Sequence, residues 1–248
     1  MKKQTLQPED FELETNTIWS FPKHGSWATH NSKYRGNWSP YIPRNVIIRY
    51  SAGGDTVLDQ FVGGGTTAVE AKLTNRKFIG VDINPEAIAI TKEKLDFPSS
   101  FTQEIKLYKS NATSLSMIEN SSIDLICTHP PYADIINYSE NIDGDLSLLQ
   151  MDEFLIKMKD VAAECYRVLK EDKFCAVLMG DTRKKGMVQP LGFKVMQTFE
   201  ASGFKTKEII IKEQHNCKAT GYWKKNSIKY NFLLLAHEYL FVFKKPGL

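Results

Sequence analysis

Five consecutive residues, Thr128-His129-Pro130-Pro131-Tyr132, have the makings of a site for a flat ring that carries an amine. Each proline fixes φ and removes an N–H, and each residue before a proline is pushed extended. The carbonyls of this stretch therefore form a stiff array of acceptors, beside which Tyr132 offers an aromatic face. His129, when neutral, adds a ring-nitrogen acceptor. An aromatic exocyclic amine is a poor nucleophile because its lone pair is delocalised into the ring. Acceptors around its N–H groups favour a pyramidal nitrogen with that lone pair available. A second group lies upstream, Asp59-Gln60-Phe61-Val62-Gly63-Gly64-Gly65-Thr66-Thr67. Glycines there let the backbone approach a ligand closely and take φ > 0. Asp82 follows 17 residues after Gly65, where a carboxylate can accept both hydrogen bonds of a ribose diol. The bland alternatives are a glycine turn that serves packing and a proline-rich strand exit with a structural tyrosine. A glycine loop alone also fits NAD.

These groups need a frame, and the hydrophobic pattern supplies one. Strands are predicted over 56–61, 77–83, 104–110, 122–132, 173–181, 205–214 and 237–245. Helices are predicted at 43–50, after the glycine loop, and over 85–97, 151–172 and 190–204. Asn84 is a fair N-cap with Pro85 at the first helical position. Alternating strands and helices imply an α/β fold whose ligands sit outside the carboxyl ends of the strands. The last two strands follow one another without a helix. This predicts a seven-stranded, mostly parallel sheet with an antiparallel C-terminal strand, the Rossmann-like class I methyltransferase layout and not that of nicotinamide dehydrogenases. Residues 1–36 read as an N-terminal aromatic and loop segment, loosely ordered over 1–18. Residues 37–248 read as a single methyltransferase domain with no separate target-recognition domain. The tryptophan-rich stretch 19–45 reads as a core-covering flap or a binding surface.

VLDQFVGGGTTAVEA resembles the D-x-F-x-G-x-G-T-T cofactor motif of S-adenosylmethionine-dependent DNA amino-methyltransferases, the class of restriction–modification methylases. GVDINPEAI resembles their second motif, and NWSPYIPRNVIIRYS the motif that contacts the methionine end of the cofactor. The resemblance implies S-adenosylmethionine as cofactor, with Asp59, Phe61, Gly63, Gly65, Thr66 and Thr67 lining it. By the same resemblance Asp82 holds the ribose, Asn111 lies near the adenine, Asn84 belongs to the cofactor site, and Ser39 and Pro40 lie at the methionine end. THPPY is similar to the (D/N/S)-P-P-(Y/F/W) motif, which makes His129, Pro130, Pro131 and Tyr132 the catalytic group. His129 departs from the three usual residues. Thr128 before it is similar to the cytosine-N4 form, so the expectation leans to cytosine N4 over adenine N6. Alternatives are methylation of an RNA base amine, methylation of a protein glutamine, and a non-catalytic nucleic-acid-binding subunit.

Charge is uneven along the chain. Residues 1–150 carry 14 Lys+Arg against 18 Asp+Glu, and residues 151–248 carry 18 against 11, which suggests a polyanionic partner for the second half. About 60 residues separate Gly65 from Thr128, so any reading of sequence must come from loops, namely 19–39, 133–150, 181–190 and 215–231. Arg183, Lys184 and Lys185, with Lys218, Lys224, Lys225 and Lys229 interleaved with Tyr222 and Trp223, offer cations for phosphates and rings for unstacked bases. The expected partner is duplex DNA with the target base flipped out. A homodimer or a separate specificity subunit are the candidate assemblies. The longest apolar runs are far shorter than a membrane span needs, and no secretory signal stands at the N-terminus. A soluble, cytoplasmic chain is expected. Four cysteines without CxxC spacing predict no metal site and no disulfide framework. Cys127, although beside the motif, is expected to point away from it.

Overall fold

The structure, a computed structural model, describes residues 5–133, 138–215 and 220–247. Eight strands form one sheet: β1 (Ile18–Trp19), β2 (Thr56–Asp59), β3 (Lys77–Asp82), β4 (Ile105–Lys109), β5 (Ile123–Thr128), β6 (Leu169–Met179), β9 (Lys205–Glu213) and β10 (His237–Lys244). Their order across the sheet is β1-β9-β10-β6-β5-β2-β3-β4, and β7 (Thr182–Lys184) with β8 (Met187–Gln189) makes a separate hairpin. β10 runs antiparallel to both β6 and β9, whereas the other pairs in the sheet are parallel. The predicted seven-stranded frame is present, and β1 adds an eighth strand beside β9. Ile18-Trp19 is too short to show a period of two in the sequence.

β5 is buried along its whole length, as a central strand covered on both faces must be. One face packs on α4 (Met151–Val168) and α5 (Leu191–Ala201). The burial of Phe154, Met158, Val161, Ala162 and Cys165 follows the helical repeat. The other face packs on α1 (Tyr41–Tyr50) and α2 (Thr66–Leu73). α3 (Pro85–Lys94) begins at Asn84, whose Oδ1 accepts the Glu86 N–H at 2.9 Å. β6 begins at Leu169, four residues earlier than its sequence suggests. Lys170 turns out of the helical pattern to donate to Asp124 Oδ1 at 2.7 Å, and the register with β5 shifts there. Among the described residues, no helix is long and apolar enough to cross a membrane.

Residues 5–18 are tied to the rest of the chain by hydrogen bonds, contrary to the loose order expected of them. The Thr5 carbonyl accepts from the Ala28 N–H at 2.8 Å, and the Glu14 N–H donates to Asn45 Oδ1 at 2.8 Å. Trp19, Trp27 and Trp38 are all buried. Trp27 Nε1 and His30 Nε2 each lie 2.7 Å from Glu70 Oε1, and Arg44 donates to Oε2 at 2.8 Å. This network fastens the aromatic segment to α2, the helix that follows the glycine loop.

A candidate cofactor cleft and an adjoining second cleft

Parallel strands deliver Asp59, Asp82, Asn111 and Thr128 to one edge of the sheet, at or just past the carboxyl ends of β2, β3, β4 and β5. A cleft opens there, between these strand ends and the N-terminal segment. Its floor includes Asp59, Phe61, Gly63, Gly64, Thr66, Asp82, Asn84 and Asn111, and its far wall His129 and Pro131. Tyr34, Asn37 and Trp38 from the N-terminal segment cover it, with Tyr138 and Leu146.

Asp82 accepts from the Gly63 N–H at Oδ2 and the Asn84 N–H at Oδ1, both at 2.9 Å. A lone pair remains on each oxygen for a diol. Burial raises its carboxyl above the usual range, against these donors. A Cβ on Gly64 would lie 2.4 Å from Asn37 Oδ1, and one on Gly63, at φ +48, 3.3 Å from Tyr34. The loop is therefore a cradle that side chains would fill. Gly65, at φ +78, serves packing instead, because a Cβ there would lie 2.9 Å from Thr91. Asp59 is 2% exposed. It accepts from Thr67 at 2.6 Å, Thr128 at 2.7 Å and the Phe61 N–H at 3.0 Å. Burial pushes its carboxyl up to about 6. The cleft thus offers a diol acceptor, close backbone and a buried carboxylate that a cationic ligand would keep ionised, and these features fit S-adenosylmethionine.

Ser39 and Pro40 stand apart from this cleft. Ser39 donates to the His24 carbonyl at 2.9 Å, and Pro40 is the N-cap of α1. Their predecessors Asn37 and Trp38 line the cleft instead. Thr128 spends its hydroxyl proton on Asp59, so it has no side-chain donor left for a ligand. Cys127 is fully buried beneath the sheet, and burial holds its thiol well above its usual range.

A second cleft adjoins the first, lined by Phe21, His24, Pro130, Tyr132, Lys212 and Glu238 among others, with Gly36, Asn37, Trp38, His129, Pro131 and Tyr138 common to both. Trp38 stacks on the His129 ring at 5.4 Å. His129 Nε2 lies 2.9 Å from Tyr132 Oη, which donates to Glu238 Oε1 at 2.7 Å; Lys212 Nζ donates to Glu238 Oε2 at 2.8 Å. Burial pushes the imidazole down to about 4, with Glu238 opposing and Lys212 assisting. Burial would raise Glu238, but Lys212, His129 and Tyr132 outweigh it and hold the carboxyl below the usual range. Gly180, just after β6, leaves room for this group, since a Cβ there would lie 2.9 Å from the Tyr132 ring.

Glu238 and Lys212 were not singled out from the sequence. The signal available was a glutamate directly before the apolar run YLFVF of β10 and a lysine directly after the apolar run III of β9.

The basic candidates lie on two linked elements. The stretch expected as a loop at 215–231 contains a helix, α6 (Thr220–Lys229). Nothing in TGYWKKNSIK after Gly221 breaks a helix, and Asn231, at φ +50, stands just past its end. Lys224, Lys225, Lys229, Tyr222 and Trp223 are exposed on it, Tyr222 by 69%. Arg183 is committed to structure: it donates to the Gly186 and Leu233 carbonyls at 2.7 and 2.9 Å and lies over Phe232. Lys184 reaches Gln150 at 3.4 Å, and Lys185 occupies the hairpin turn at φ +49. Lys218 lies outside the described residues.

A family model described as DNA methylase matches residues 1–93 and 123–247. Three curated relatives align over parts of the chain. The DNA adenine methyltransferase YhdJ of Escherichia coli is 30% identical over 117 residues, 46% of this chain and 40% of that protein. The type II methyltransferase M.HpaI of Haemophilus parainfluenzae is 39% identical over 82 residues, 33% and 26% respectively. The orphan methyltransferase M.BamHII of Bacillus amyloliquefaciens is 49% identical over 96 residues, 38% and 36%. The aligned stretches span well under half of each relative. A SAM-dependent methyltransferase from Methanosarcina mazei shares the fold, with a TM-score of 0.56 at 16% identity over 81% of this chain and 97% of that one. TrmN from Thermus thermophilus does so with 0.55 at 16% identity, over 85% and 50%.

Proposed function

This chain belongs to the DNA methylase family, whose cofactor is S-adenosylmethionine, and from that membership we propose that it methylates the exocyclic amine of a base in DNA, cytosine N4 or adenine N6. The bound cofactor supplies a methyl group already activated on a sulfonium. The chain's own residues orient and accept. Asp82 takes the ribose hydroxyls, the Gly63–Gly64 backbone approaches the cofactor, and Asp59 provides the negative charge. A base flipped out of the duplex enters the second cleft, where His129 and the Pro130 carbonyl accept its N–H groups. Alignment of two reactants is worth up to about 7–11 kcal/mol, so no covalent intermediate is required. Exposed cations and rings on α6 and the β7–β8 hairpin serve the phosphates and neighbouring bases.

The observation that carries this reading is that the two clefts adjoin along His129 and Pro131, with Gly36, Asn37, Trp38 and Tyr138 also lining both, so that groups bound in the two clefts would meet beside the motif. The test is His129→Ala. It should lose most transfer while calorimetry shows the cofactor still bound. Transfer at the wild-type rate would make His129 a bystander.

A further inference from the structure

β10 is the reversed strand, so its first residues lie at the edge of the sheet where the other strands end. Glu238 is therefore placed directly opposite Lys212 of β9, next to the residues that leave β5. The side chains form an unbroken line, Lys212 Nζ to Glu238 at 2.8 Å, Glu238 to Tyr132 Oη at 2.7 Å, and Tyr132 Oη to His129 Nε2 at 2.9 Å.

The direction of each hydrogen bond follows from donor counting. Lys212 can only donate, and an ionised Glu238 can only accept. Tyr132 has one proton, and the carboxylate takes it. The Tyr132 oxygen must then accept, so His129 Nε2 must carry the imidazole proton. A neutral imidazole with a proton on Nε2 has its lone pair on Nδ1, which has no hydrogen-bond partner among the described residues. Which ring nitrogen holds the proton is set by the bond the other makes. We infer that Glu238 and Lys212 are positioning residues that fix His129 as the Nε2–H tautomer, so that Nδ1 is the acceptor offered to the target amine. Neither residue need touch the cofactor or the base. The functional half of this inference rests on the acceptor role proposed for His129, whereas the tautomer itself does not.

The test is Glu238→Gln. Lys212 will hold the amide oxygen, which leaves the amide NH2 facing Tyr132. Tyr132 must then donate to His129 Nε2, and the imidazole proton moves to Nδ1. Long-range proton–nitrogen NMR on the full chain, labelled at its five histidines and assigned with His129→Ala, reads this directly. The wild type should show a protonated Nε2 and an acceptor Nδ1, and Glu238→Gln should show the two exchanged. Single-turnover transfer should fall by on the order of a hundredfold with cofactor affinity retained. Tyr132→Phe gives an independent arm if Glu238→Gln does not fold: it cuts the line while keeping the ring, and His129 should then populate both tautomers. A wild-type Nδ1–H form, or an Nε2–H form that survives in both variants, would overturn the inference. Exchange of tautomers with the transfer rate unchanged would instead overturn the acceptor role of His129.

Discussion

Asp59 gives the sharpest handle on the cofactor cleft. Its carboxylate is buried, and three donors hold it without offsetting the loss of water, so it titrates near about 6. A cation in the cleft favours the ionised form, and protonation removes that attraction. Cofactor affinity should therefore fall as the pH drops through this region. If only the ionised form binds, the affinity at pH 5 is about tenfold below that at pH 7, or about 1.4 kcal/mol. Asp59→Asn cannot titrate. At pH 7 it should bind no better than the wild type does at pH 5, where about a tenth of the wild type is still ionised, and it should not weaken further over this interval on account of position 59. His129 titrates lower, near about 4, and Asp82 is present in both proteins, so the difference between them isolates Asp59. Calorimetric titration of S-adenosylmethionine into both at pH 7, 6 and 5 measures it. The same pH dependence in the variant as in the wild type would refute the argument.

At saturating cofactor, single-turnover transfer should stay level from pH 8 to about 5 and decline toward about 4, because the buried imidazole accepts only while neutral; a midpoint near ~6.5 would mean an unburied histidine. Replacing Lys224 and Lys225 with glutamine should flatten the slope of log K against log salt for duplex DNA by about 2, and an unchanged slope would return α6 to an ordinary solvated helix. Glu70→Ala leaves Arg44 buried without its carboxylate and frees Trp27 and His30, so urea denaturation should report a loss of about 3–5 kcal/mol; a loss below about 1 kcal/mol would show that this network does not hold the aromatic segment in place.

Much of this arrangement was legible in the sequence because it is local. VLDQF before GGGTT, Asp82 closing an apolar run, and prolines ending ICTHPPY each encode a strand, its end and a group at that end. Two strands following one another without a helix predict the reversal of β10; the reversal is present, but the connection between β9 and β10 contains α6. What escaped depends on contacts between distant parts of the chain. Trp38 and Asn37 reach the cleft because Glu70, on another helix, pulls Trp27 and His30 down. Ser39 and Pro40, next in sequence, turn away into the start of α1. Glu238 meets Tyr132 across 106 positions, and no spacing rule links the two. α6 was hidden because its rings and lysines are exposed instead of forming a buried stripe.

The central claim is transfer to a base amine in DNA, and methyl transfer tests it most directly. The full chain is incubated with tritiated S-adenosylmethionine and, separately, with duplex DNA and RNA, followed by digestion to nucleosides and identification of the labelled one. The account predicts label in DNA as N4-methylcytosine or N6-methyladenine and, with His129→Ala, little or none. Label confined to RNA, or on a ring carbon of the base, would contradict it.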